Sequence, residues 1–266
     1  MNVNLHGYSI HMRMLCCWLG LLLVAVHAAA ADPMLFKVTV NDIARQALVF
    51  PGKKAFKSRS PLVFAFHGFH GSSLSMAATQ IHREWPEATV VYPLGLPTWS
   101  KRSQQFVPAW QGGPGRDHDR DVEFIDVLLV DLQQTLKVDT RRIYATGISN
   151  GALFCYLLLL KRPQVFAGFA CVAGAADFVS EATVPKPVLI IHGEKDTTVK
   201  LDDAIHTRDH LRKLNGCGEQ EKEWAQGYVG YQPCAQPVIW RQHRGGHVWP
   251  GDATKMVVKF FKEIRN

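Results

Sequence analysis

The segment Gly147-Ile148-Ser149-Asn150-Gly151 offers an oxygen nucleophile on a sharp turn. Residues 142–146 before it read as a strand, and residues 152–160 after it read as a helix. A serine between such elements adopts strained backbone angles. Glycines two before and two after it remove side chains that would collide with the strand and helix. A serine hydroxyl is a weak nucleophile at its own pKa, so the chemistry also requires a histidine base, an acid to orient that base, and N–H donors for the developing oxyanion. Asp196 is the candidate acid: the apolar run Val188-Leu189-Ile190-Ile191 reads as a buried parallel strand leading into His192-Gly193-Glu194-Lys195-Asp196. His247 is the candidate base, carried on the tight loop Arg244-Gly245-Gly246-His247-Val248-Trp249-Pro250-Gly251 after a strand over 238–242.

Other assignments stay open on the residues alone. Asp177 follows a strand near Phe169 and competes with Asp196 as the acid, while Asp202 and Asp203 open a helix, where acidic side chains favour the dipole. His67 is an alternative base, although its setting beside Gly68 suggests support of a loop. One oxyanion donor is expected to be the amide of Asn150, directly after the serine, and the second that of Phe69 in the glycine-bearing loop following the strand Leu62-Val63-Phe64-Ala65-Phe66. The chain order Ser149, Asp196, His247 is that of α/β-hydrolases; chymotrypsin-like and subtilisin-like folds use other orders.

The elements that must position these residues follow from apolar periodicity. An opening antiparallel hairpin is predicted over 36–40 and 46–50, then strands near Leu62, Thr89, Ile143, Phe169, Val188 and Val238. Helices are predicted over 119–136, 152–160, 202–214 and 254–263. This alternation predicts an α/β class: a mainly parallel central sheet with helices on both faces and the site at the carboxyl ends of the strands. Residues 94–120 read as a long loop, and its Trp110, with Trp249 two residues from His247, is a candidate to line a substrate pocket; packing of the loop is the competing reading.

Taken in order, His67-Gly68, Asp121-Val122-Glu123-Phe124-Ile125, the Ser149 pentapeptide, His192-Gly193-Glu194-Lys195-Asp196 and Gly246-His247-Val248-Trp249-Pro250-Gly251 resemble the polyhydroxybutyrate depolymerase and feruloyl esterase-like family of secreted serine esterases. The resemblance runs from about Phe36 to the C-terminus, and Gly-His-x-Trp-Pro-Gly is its most specific element. It implies an α/β-hydrolase fold, a triad of Ser149, Asp196 and His247, and hydrolysis of carboxylic esters without a metal or other cofactor. The chain departs from the pattern at Phe69, where many relatives carry a cysteine.

Arg13, the apolar stretch 14–26 and the small residues 28–31 have the form of a secretory signal peptide. Residues 1–31 are therefore expected to be removed, leaving 32–266 as a single catalytic domain that is secreted or periplasmic and has no stable membrane association. Cleavage lowers the net charge of +7 only by Arg13. The remaining positive charge carries no basic run with interleaved aromatics, which argues against nucleic acid as a partner. Cys217 and Cys234 flank a polar segment and are expected to pair, whereas Cys155 and Cys171 lie in apolar elements and read as buried thiols. No cysteine pair has zinc-ligand spacing, and no metal is expected. The function expected is a serine esterase acting on hydroxycinnamoyl or short hydroxyalkanoate esters, small or oligomeric. A catalytically silent binding protein and a peptidase on the same fold are the alternatives.

Overall fold

The computed structural model describes residues 32–101 and 103–264, together with Met1. The rest of the expected leader lies outside the described residues. Twelve strands and six helices are present among them: β1 (Met34–Val40), β2 (Ile43–Phe50), β3 (Ser60–Phe66), α1 (Ser73–Ala77), α2 (Ile81–Glu84), β4 (Thr89–Pro93), β5 (Leu96–Ser100), β6 (Gln105–Ala109), α3 (Arg120–Thr135), β7 (Val138–Ile148), α4 (Asn150–Lys161), β8 (Gly168–Val172), β9 (Val188–Gly193), α5 (Leu201–Leu214), β10 (Gln220–Ala225), β11 (Tyr228–Gln232), β12 (Val238–His243) and α6 (Ala253–Glu263).

Ten strands form one sheet in the order β1-β2-β4-β3-β7-β8-β9-β12-β11-β10. Its centre, from β4 to β12, is parallel. The hairpins β1–β2 and β10–β11 add antiparallel edges. The central strands are apolar at almost every position because both faces are covered. In β3, Leu62, Phe64 and Phe66 pack on one face with residues of α3, α4 and α5, while Val63 and Ala65 pack on the other with residues of α1, α2 and α6. The chain places β4 on one side of β3 and returns to place β7 on the other. The loops after β3 and β7 therefore meet where the order reverses, the position at which open α/β sheets form a ligand crevice.

Three local departures from the sequence reading have physical causes. The expected long loop over 94–120 contains the two-stranded hairpin β5–β6, whose Pro97 and Pro108 face each other across the pair and mask its strand character. The polar segment between the cysteines is the hairpin β10–β11, an edge whose β10 is half-exposed to exposed and so lacks an apolar signature. The helices α1 and α2 are only five and four residues long, too short for periodicity to register. Cys217 and Cys234 form a disulfide bracketing the β10–β11 hairpin, and Cys155 and Cys171 are free and buried.

Candidate active site

Ser149 joins β7 to α4 with φ 57° and ψ −119°, a backbone conformation that non-glycine residues rarely adopt. The surrounding packing enforces it. A Cβ on Gly151 would strike the backbone carbonyls of Phe66 and His67, and one on Gly147 would strike the backbone of Gly151. The turn is pinned by the Ser149 amide, which donates to the Val172 carbonyl at 2.9 Å, and by the Ser149 carbonyl, which accepts from the Leu153 amide at 2.9 Å.

Asp196 and His247 are brought together by an extension of the parallel pairing of β9 with β12. The Glu194 amide donates to the His243 carbonyl at 2.8 Å, and the Lys195 amide donates to the Gly245 carbonyl at 2.9 Å. A Cβ on Gly193 would collide with the carbonyls of Gly245 and Gly246, so the close approach requires glycine there. At the end of this zipped pair, His247 Nδ1 lies 2.7 Å from Asp196 Oδ2. A carboxylate only accepts, which puts the proton on Nδ1 and leaves Nε2 with its lone pair. Asp196 Oδ1 accepts from the amides of Thr198 at 2.8 Å and Val199 at 2.9 Å. Burial by itself would raise the Asp196 pKa, but the Val199 amide, the His247 ring and the Thr198 amide outweigh it and hold the carboxyl below its ordinary range.

The competing residues fall elsewhere. Asp177 is exposed on a 3₁₀ turn, Asp177–Glu181, and Asp202 and Asp203 occupy the first turn of α5. His67 has both ring nitrogens engaged, Nδ1 with the Gly68 carbonyl at 2.7 Å and Nε2 accepting from the Gly95 amide at 3.0 Å. Burial lowers its pKa. It is a neutral ring that shapes the loop after β3. His192 is similar: burial lowers its pKa, and its Nε2–H donates to the Val199 carbonyl at 3.0 Å, beneath the amides that hold Asp196.

Gly68 lies close to the serine, where an added Cβ would be 3.5 Å from that of Ser149. Phe69 follows it, 45 % exposed. Among the described residues no hydrogen bond uses the amides of Phe69 or Asn150. A hollow of about 530 Å³ lies against both residues and is also lined by Trp110, Gly112 and Arg116. A larger cleft of about 680 Å³ shares Gly112 and Arg116 with it and continues between α4 and the acid loop, past Leu153, Phe178, Thr198 and Val199.

The two tryptophans take different positions. Trp110 is 2 % exposed, stacks on Phe154 with ring centroids 5.1 Å apart, meets Phe66 edge-on and donates from Nε1 to the His67 carbonyl at 2.9 Å. Its indole is thus engaged in packing, the competing reading for this residue, while the residue still borders the hollow beside Phe69 and Asn150. Trp249 is half-buried and donates to Thr254 Oγ1 at 3.0 Å, which in turn donates to the Thr79 carbonyl at 2.8 Å, tethering the His247 loop to α6. The sequence reading missed Arg116, Phe178, Thr198 and Val199 as cleft residues and Gln111 as an anchor of the cleft wall. Isolated in irregular segments, they carry no periodic or motif signal.

Solved structures share this architecture. The acetyl xylan esterase from Aspergillus awamori matches with a TM-score of 0.65 at 16% identity, over 86% of this chain and 99% of that one. A ferulic acid esterase matches with a TM-score of 0.63 at 14% identity, over 88% and 98%. The chain has the α/β-hydrolase fold. By sequence this α/β-hydrolase is 29% identical over 199 residues to feruloyl esterase D of Neurospora crassa, covering 70% of this chain and 67% of that one. It is 25% identical over 219 residues to feruloyl esterase C of Emericella nidulans, covering 78% of each. The model of the prolyl oligopeptidase family matches residues 100–186 of the hydrolase, a span that includes Ser149 but neither Asp196 nor His247.

Proposed function

We propose that this α/β-hydrolase is a serine carboxylic ester hydrolase that works through an acyl-enzyme, with Ser149, His247 and Asp196 as its triad. The carrying observation is the 2.7 Å contact of His247 Nδ1 with Asp196 Oδ2, in loops at the same end of the sheet as a serine held at φ 57°. His247 Nε2 takes the Ser149 proton as the oxygen attacks the ester carbonyl, and the Asn150 and Phe69 amides receive the oxyanion. Collapse of the tetrahedral intermediate expels the alcohol, which takes the proton back from His247. Water, activated by the same nitrogen, then releases the acid. Asp196 keeps the imidazole in the required tautomer and stabilises its charged form.

Hydroxycinnamoyl esters are the first substrate class, because several relatives over most of the chain are named feruloyl esterases, beside one named only as an esterase and one an acetylxylan esterase/xylanase. Short hydroxyalkanoate esters are the second. The apolar side chains of Leu153 and Phe178 in the larger cleft suit an acyl or aromatic group, with Arg116 and Asp177 at its polar positions. Residues 1–31 act as a cleaved leader and 32–266 as one catalytic domain, an arrangement supported by the Cys217–Cys234 disulfide, which belongs to an oxidising compartment. The prolyl oligopeptidase match favours one alternative, peptide hydrolysis at the same serine. Assay of the mature protein on p-nitrophenyl butyrate, methyl ferulate, a hydroxybutyrate trimer and a prolyl p-nitroanilide separates the readings. Turnover of methyl ferulate above the other esters, with the anilide inert, is expected. Anilide turnover in excess of ester turnover contradicts the esterase reading.

A further inference from the structure

The short segment 108–111, at the end of β6, bonds to both sides of the proposed oxyanion site. On one side, Asn150 Oδ1 accepts from the Trp110 amide at 2.8 Å, and its Nδ2 donates to the Trp110 carbonyl at 3.1 Å. On the other, the Pro108 carbonyl accepts from the His70 amide at 2.9 Å, and Trp110 Nε1 donates to the His67 carbonyl at 2.9 Å. His67 and His70 bracket Phe69. The segment thus holds both residues whose amides are left unengaged, through bonds that spare those amides.

The far end of the segment is anchored in a buried polar network. The Gln111 amide donates to Asp121 Oδ2 at 2.7 Å, and Gln111 Oε1 accepts from the Asp121 amide at 3.1 Å. Gln111 Nε2 donates to Asp119 Oδ1 at 2.8 Å. The other oxygen of Asp121 takes a 2.6 Å bond from Arg45, whose guanidinium lies 4.0 Å over the Phe124 ring. Gln111, Asp121 and Arg45 are all buried. Arg45 Nε is left without a partner among the described residues, but the Gln111 and Asp121 side chains are each held at both ends, which restricts the arrangement of the segment. The Nε1 bond and the two-point clamp on Asn150 fix geometry beyond the apolar packing of the Trp110 ring on Phe154 and Phe66.

We infer that segment 108–111 is a brace that sets the separation and direction of the Asn150 and Phe69 amides, making Trp110, Gln111 and the side chain of Asn150 positioning residues for the oxyanion. The inference rests on the ester-hydrolase reading. Oxyanion stabilisation depends on donors fixed before charge develops, so a loosened brace weakens the transition state while leaving ground-state binding intact.

Trp110→Phe removes the indole bond together with part of the ring packed on Phe154, and Asn150→Leu removes the clamp; thermal melting registers the lost packing separately. Each is compared with wild type in p-nitrophenyl butyrate kinetics, inhibition by a butylboronic acid, inhibition by butyrate, and thermal melting. In the boronate adduct Ser149 Oγ bonds to boron and its proton passes to His247, giving a tetrahedral anion that occupies the oxyanion site. The expected result is a kcat lowered about tenfold or more, a KM within about twofold of wild type, boronate affinity weakened by the same factor as kcat/KM, and butyrate inhibition unchanged. Folded variants that keep wild-type kcat and boronate affinity would overturn the brace. So would an equal loss of butyrate affinity, which would place these residues in the substrate pocket. Wild-type protein with neither turnover nor boronate binding would instead remove the esterase reading, and the brace with it.

Discussion

Asp196 lies between opposing influences. Burial would raise its pKa, whereas the amides of Val199 and Thr198 and the His247 ring lower it, and the lowering prevails. The carboxylate therefore stays charged wherever His247 can serve as a base, and its charge is worth most when the imidazole becomes cationic. Asp196→Asn keeps the size and packing but presents an amide to Nδ1. We expect kcat to fall by about 10³–10⁴ with KM little changed, as measured by steady-state ester hydrolysis. A loss under tenfold would shift the acid to another residue. At this scale the candidate site was legible where residue type and loop context coincide, as in the glycine-flanked Ser149 and the strand-end positions of Asp196 and His247. It was illegible for Gln111 and Trp110. Their roles depend on which carbonyls and amides a distant fold brings within 3 Å, and nothing in the local sequence records that.

The elements meet at the site with little free space. The elbow works because β3 passes so close beneath α4 that only glycine fits at position 151. Gly151→Ala must push the helix off the Phe66 and His67 carbonyls. Overpacking of this kind costs about 1–3 kcal/mol, so the denaturant midpoint should fall accordingly, with turnover falling further because Ser149 moves with the helix. An unchanged midpoint would mean that the elbow tolerates a Cβ. The central strands and α4 were readable as continuous apolar runs because they are covered on all sides, and α3, α5 and α6 because burial on one face imposes a period. The hairpins β5–β6 and β10–β11 were not, since prolines or edge exposure erase that signal. The hairpin missed between residues 94 and 120 supplies the segment that ties the two oxyanion residues together.

Two buried histidines, His67 and His192, and two half-buried ones, His82 and His243, couple the stability of the whole molecule to pH. Burial lowers the pKa of His67, His82, His192 and His243 below the ordinary 6.5. In the unfolded chain these rings take up protons near pH 6.5, while in the folded chain they stay neutral until the pH falls further. Their contribution to stability is complete above about pH 6.5 and is lost as the pH falls through the folded values. The thermal midpoint should therefore decline from pH 7.5 to pH 5, and His67→Gln should make that decline shallower. A midpoint independent of pH across this interval would contradict the burial of these rings. His67, His192 and His243 bond to segments of the site loops, whereas His82 stacks on Phe50, so acid should loosen the site along with the fold.

The central claim is that Ser149 carries the acyl group. Its most direct test is rapid mixing of the mature protein with p-nitrophenyl butyrate, followed by acid quenching and peptide mass spectrometry, with Ser149→Ala in parallel. The account predicts a butyryl mass on the peptide containing Ser149, a p-nitrophenol burst stoichiometric with enzyme if deacylation is the slower step, and neither in the variant. Ester turnover that persists in Ser149→Ala, or an acyl group found on another residue, would contradict it.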